Sequence, residues 1–96
     1  MGGRVVIDFR INEHWMGEAI KRPAERDLRI FFEVKADVPI KAVTLVKNGR
    51  NYMIFTYGRE LILDYSQEND TDFYYLRVEL ADRRFGWTSP IWVERS

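Results

Sequence analysis

The chain has 96 residues, 46% of them hydrophobic and 31% charged, and its 15 Lys+Arg are balanced by 15 Asp+Glu. That length suits one domain around a single core, and that composition an ordinary globular protein rather than a disordered chain. Balanced charge argues against a binder that tracks phosphates, and the lack of cysteine excludes disulfides, thiolate zinc sites and cysteine nucleophiles.

The opening "MGGRVVIDFR" carries Asp8 almost at once and has no long apolar run, so it is neither a signal peptide nor a membrane span. With no leader in this stretch, the compartment stays open and a cytoplasmic one is favoured. Met1-Gly2-Gly3 reads as a frayed tip or an artificial start, and residues 1–96 as one excised domain. Over 4–11, Val5, Ile7, Phe9 and Ile11 alternate with Arg4, Asp8 and Arg10, which describes a half-buried strand. The next stretch, "NEHWMGEAIKRPAERD", does not alternate. It reads as a long polar connection with room for a helical turn around Glu18–Arg22, limited by Pro23.

Leu28, Ile30, Phe32, Val34 and Ala36 alternate with Arg29, Glu33 and Lys35, a second strand with Phe31 on its outer side. "PIKAVTLVKNGRNYMIFTY" follows as a hairpin, because Asn48-Gly49 tolerates the positive φ angles of a tight primed turn. Both Val43/Leu45 and Thr44/Val46 qualify as its buried side. "RELILDY" (59–65) is a further short strand. Tyr74, Leu76, Val78 and Leu80 alternate with Tyr75, Arg77 and Glu79, and residues 88–94 close the chain as a last strand begun by Pro90, with Ile91 and Val93 inward and Trp92 outward. Seven strands with turn signals about every ten residues predict an all-β, seven-stranded antiparallel immunoglobulin-like β-sandwich. Asp70, Tyr74 and Leu76 have the spacing of a tyrosine corner, in which a core tyrosine hydroxyl pins the turn before the penultimate strand.

Chemistry-bearing patterns are sparse. His14 is the single histidine, between Glu13 and Trp15, and lacks the partners that a metal or catalytic role requires. "DYSQENDTD" (64–72) gathers oxygen donors but has neither the internal glycine nor the closing glutamate of an EF-hand, and it reads as a solvated connection. No glycine-rich phosphate cradle and no serine-nucleophile setting occurs. No catalytic residue, metal site or cofactor is therefore expected. Aromatic residues make up 15% of the chain, and Trp15, Tyr52, Phe55, Tyr57, Trp87 and Trp92 are candidates for an exposed contact surface. Three readings of them stand: contact with a neighbouring domain or subunit, cover for a loop, and stacking on sugar rings.

The ending "FYYLRVELADRRFGWTSPIWVE" resembles the close of the C-terminal domain in the PHP-type (CehA/McbA-like) metal-dependent phosphoesterases, where a strand of the form "YYYVRV" leads through a short turn to "AWTSPIWV". "HWMGE" and "IFFEVKADVPIKAVTLVKNGRNY" are similar to earlier segments of that domain, in the same order, so the likeness spans nearly the whole chain. Gly86 stands where alanine is common, and Arg83-Arg84-Phe85 replaces a small turn. The resemblance implies an immunoglobulin-like accessory domain without catalytic residues, since the family's metal ligands lie in its N-terminal domain and none has a counterpart here. The expected partner is that catalytic domain, in the same parent chain, or a second subunit. The residues expected at the contact are Trp15, Arg83, Arg84, Trp87 and Trp92. A carbohydrate- or ligand-binding module is the alternative, and neither nucleic acid nor membrane is expected.

Overall fold

The computed structural model describes residues 5–21, 28–64 and 68–94. Their strands are β1 (Val5–Ile11), β2 (His14–Trp15), β3 (Ala19–Lys21), β4 (Leu28–Ala36), β5 (Ile40–Lys47), β6 (Arg50–Phe55), β7 (Arg59–Asp64), β8 (Thr71–Leu80), β9 (Phe85–Trp87) and β10 (Ile91–Glu94). They form two sheets. The smaller has the order β2-β1-β4-β7; the larger runs β3-β10-β8-β5-β6, with β9 also paired to β8. The chain is an all-β immunoglobulin-like sandwich, as the alternation predicts, with its seven long strands antiparallel. Three short strands complete it.

The two inner faces supply the core. Phe9 and Ile11 of β1, Leu28, Ile30, Phe32 and Val34 of β4, and Ile62 of β7 meet Val43 and Leu45 of β5, Tyr74, Leu76, Val78 and Leu80 of β8, and Ile91 and Val93 of β10. Every second residue of these strands points inward, so two pleated faces interdigitate into one apolar layer. Asn48 and Gly49 have φ of 54° and 83°, the left-handed pair that a two-residue turn needs between Lys47 and Arg50. At Gly58 the reason for glycine is steric: a Cβ would lie 2.7 Å from both Ile40 Cδ1 and the Val34 carbonyl oxygen.

Two expectations need correction. The described part of the Glu18–Arg22 segment is β3, not a helical turn, because Ile20 is drawn into the core and its backbone pairs in parallel with β10. Gly17, at φ 92°, lets the chain cross from one sheet to the other; its N–H donates to the Pro90 carbonyl, and Trp92 N–H to that of Glu18. The final strand is not continuous over 88–94. Pro90 has no amide to give, so the ladder breaks between β9 and β10. The sequence leaves the buried side of β5 open, and both sides are covered: Val43 and Leu45 meet the core, while Thr44 and Val46 lie under side chains on the outer side.

Candidate functional site

The alternation that fills the core also loads the opposite side of the larger sheet. With Tyr74, Leu76 and Val78 inward, β8 turns Phe73, Tyr75, Arg77 and Glu79 outward. Trp92 of β10 stands opposite Phe73, while Trp87 and Phe85 of β9 stand opposite Arg77 and Glu79. Five aromatic rings therefore share one face. Phe73 and Tyr75 stack with ring centroids 6.5 Å apart and planes 4° from parallel; Phe85 and Trp87 stack at 5.9 Å and 23°. Trp87 is 62% exposed, Phe85 49% and Trp92 38%. Arg77 reaches across β5 to donate from Nη2 to Asn51 Oδ1 at 3.1 Å, which helps roof Thr44 and Val46.

The turn from β8 to β9 borders this face. Arg83 is exposed there with φ of 71°. Arg84 is tied down: Nε donates to Asp82 Oδ2 at 2.6 Å and Nη2 to Asp37 Oδ1 at 3.3 Å. The hydrogen bond it donates to Asp82, then that to Asp37 and both negative charges, hold its pKa above the usual value against the opposing effect of desolvation. Trp15 lies elsewhere. It sits on β2 at the outer side of the smaller sheet, with the Arg10 guanidinium 4.2 Å from its ring centre. Arg10 is in turn held by Asp8 at 2.9 and 2.8 Å. A shallow cleft of about 290 Å³ on that side is lined by Arg10, Glu13, Arg29, Phe31 and Leu61. The structure thus puts Trp87 and Trp92 on the larger sheet, with Arg83 and Arg84 in the turn beyond the far end of β8 from Trp92, and leaves Trp15 on the other sheet.

A second constellation lies between the sheets. Lys47, the last residue of β5, and Asp64, the last of β7, are both buried, with Lys47 Nζ 3.0 Å from Asp64 Oδ2. Tyr74 donates its hydroxyl to the same oxygen at 2.5 Å, and Tyr52 donates to Oδ1 at 3.0 Å. Glu68 Oε2 lies 3.5 Å from Nζ, and Arg50 pairs with the other oxygen of Glu68. The tyrosine rings wall the ammonium, 4.8 Å (Tyr52) and 5.3 Å (Tyr74) from their centres. Tyr74 is thus a buried core tyrosine whose hydroxyl meets the Asp64 side chain, and Asp70 is exposed in the turn before β8.

The carboxylate that organises this turn is Asp72. It accepts N–H bonds from Glu68 at 2.9 Å and Asn69 at 3.0 Å, and one from Asn48 Nδ2 at 2.9 Å. Burial alone would raise its pKa. These hydrogen bonds and the Lys47 charge outweigh that and hold it below the usual carboxylate range. The oxygens that suggested a cation loop at 64–72 are, at Asp64 and Asp72, turned inward onto donors; residues 65–67 lie outside the described residues. His14 is half exposed, with Nδ1 3.6 Å from Glu18 Oε1. Among the described residues no three His, Asp or Glu side chains gather as a metal site would require, and no helix is long and apolar enough to cross a membrane.

Sequence reasoning missed the buried cluster, although a signal was present. Lys47 continues the inward series Val43, Leu45, and Asp64 continues the inward Ile62, so two opposite charges each end an apolar stripe. Tyr52 was not recoverable that way, because the register between β5 and β6 shifts by one at Leu45/Val46 and re-aims its ring.

No protein-family model matches the chain. It is 28% identical over 112 aligned positions to an uncharacterized protein of Chlamydia pneumoniae, and 24% identical over 112 to one of Chlamydia muridarum; each alignment covers 97% of this chain. It spans only 18% of the length of those curated relatives. Among solved structures it is similar to the fibronectin(III)-like modules of Clostridium thermocellum CbhA, with a TM-score of 0.62 and 18% identity, covering 94% of this chain and 96% of that one. That likeness is one of fold: a sandwich of the immunoglobulin and fibronectin(III) type.

Proposed function

We propose that this chain is a non-catalytic docking module whose outer aromatic face packs against a catalytic domain of the PHP metallohydrolase type in the same parent protein. The single observation that carries the proposal is the row Phe85, Trp87, Tyr75, Phe73 and Trp92 on one sheet face, with Phe85, Trp87 and Trp92 open to solvent. Ring stacking fixes the Phe73–Tyr75 and Phe85–Trp87 pairs in advance, so little of their rotamer entropy is lost when a partner covers them, and aromatic rings of this kind dominate interface energetics. Arg77 and Arg83 supply polar contacts at the rim. Two further observations support the reading. The curated relatives are several times longer than the matched stretch, and the "WTSPIWV" ending resembles that of the PHP-associated C-terminal domain.

The test compares hydroxyl-radical labelling of Trp87 and Trp92 in the isolated chain with that in the whole polypeptide read from its gene. Protection of both residues in the longer protein, with Trp15 unchanged, is the expected result. Equal labelling in both would refute docking through this face. Exposed aromatic rings also suit a sugar, and that second reading predicts saturable quenching of tryptophan fluorescence by an oligosaccharide.

A further inference from the structure

We propose that Lys47 and Asp64 join in an intramolecular amide cross-link between the two sheets. The two side chains belong to strands of opposite sheets, one wholly buried and the other 2% exposed, with amine and carboxylate 3.0 Å apart. At that separation one ammonium proton can pass directly to the carboxylate, leaving an amine and a carboxylic acid in contact. Neutral amine and acid are the reactants of amide formation. Held side by side, they gain an effective concentration that reaches roughly 10⁵–10⁸ M in well-oriented intramolecular reactions.

The neighbours supply what the reaction needs. Tyr52 and Tyr74 donate hydroxyl hydrogen bonds to the two Asp64 oxygens, which draws electron density from Cγ and steadies the negative charge of a tetrahedral intermediate. Glu68 lies beside Nζ as the proton acceptor, and Arg50 holds its other oxygen. It is also a third exposed, which gives the released water a way out. The aromatic walls limit the return of water that would hydrolyse the product.

The step balances without an oxidant or co-reactant. One ammonium proton passes to Asp64, and neutral Nζ attacks Cγ. Glu68 takes a second Nζ proton and delivers it to the departing hydroxyl. One C–N bond forms, one C–O bond breaks and one water leaves. The product is a covalent staple between sheets in a chain that has no cysteine to make one.

Intact mass spectrometry of the folded chain tests this directly. The expected mass is about 18 Da below that of the sequence, from the loss of one water. Trypsin then leaves Lys47 uncleaved, with residues 42–50 joined to 60–77. Lys47→Arg and Asp64→Ala should both show full mass, and Glu68→Gln should lose the water at least about a hundredfold more slowly, the usual worth of a positioned base. Two results overturn the cross-link: full mass in the folded wild-type chain, or an 18 Da loss that persists in Lys47→Arg. The wild-type mass decides the matter even if a variant fails to fold.

Discussion

Thr88, in the middle of the "WTSP" run, offers a sharp test of how the last strand is held. Where Pro90 breaks the ladder, Thr88 replaces the missing pairing on both sides of its own residue. Its N–H donates to the Leu76 carbonyl at 3.0 Å, and its Oγ1 accepts from the Leu76 N–H, also at 3.0 Å. Leu76 is fully buried, so its amide has no ready access to water. Thr88→Val keeps the shape and removes only the acceptor. Orphaning a buried N–H costs about 1–3 kcal/mol. For a domain of this size each kcal/mol lowers the melting temperature by about 4–8 °C, so a fall of roughly 4–24 °C is expected. Thr88→Ser retains the hydroxyl and should lose much less. Urea unfolding followed by tryptophan fluorescence, with circular dichroism as a second probe, measures the difference. A Thr88→Val protein within about 0.5 kcal/mol of wild type would refute the claim that this side chain closes the broken ladder.

Other expectations follow from single positions. Asp72→Ala removes the acceptor for two turn amides and the Asn48 side chain, and should cost about 2–4 kcal/mol at neutral pH. Because Asp72 has a lowered folded pKa, its contribution is complete above the unfolded carboxylate range, about pH 4, and is lost as pH falls through the folded value. The gap between wild type and Asp72→Ala in urea midpoints should therefore narrow on acidification, and a gap that widens would contradict the assignment. Gly58→Ala places a methyl against backbone and should cost about 1–3 kcal/mol, read as a lower melting temperature. Trp87→Ser, on an exposed surface, should change stability by less than about 0.5 kcal/mol while weakening any partner contact, which separates docking from folding in one variant.

The long strands were legible because each carries a full period of two, and a period needs several residues to show. β4 and β8 announce themselves through runs of four or five inward side chains. β3 has a single inward side chain, Ile20, and three residues cannot display a period, so a polar segment with Gly17 and Pro23 read as a connection. Its strand character comes from outside the segment: a hydrophobic slot beside Val93 and a backbone partner seventy-odd positions away in sequence. The same limit explains β5. Alternation assigns one inward face, but Thr44 and Val46 are buried by Arg77 and the neighbouring strands, a consequence of sheet order that no local pattern contains.

The candidate site divides along the same line. That Trp92 faces away from the core follows from Ile91 and Val93 facing in, and Phe73 and Tyr75 follow from Tyr74 and Leu76, so the outer face of β8 and β10 could be read as the complement of the core. What alternation cannot supply is which outward rings become neighbours. Trp87 and Trp92 fall on one sheet because β9 and β10 pair with successive stretches of the same strand, whereas Trp15, equally aromatic and equally outward, is carried by β2 to the other sheet. The buried charges required the same long-range knowledge. Lys47 and Asp64 each end an apolar stripe at the close of a strand, which locally reads as a strand emerging into solvent. Only when β5 and β7 are laid in facing sheets do the two ends meet with Tyr52 and Tyr74 around them. Period identifies the face a side chain serves, and topology decides its company; the chemistry proposed for this protein depends on the second.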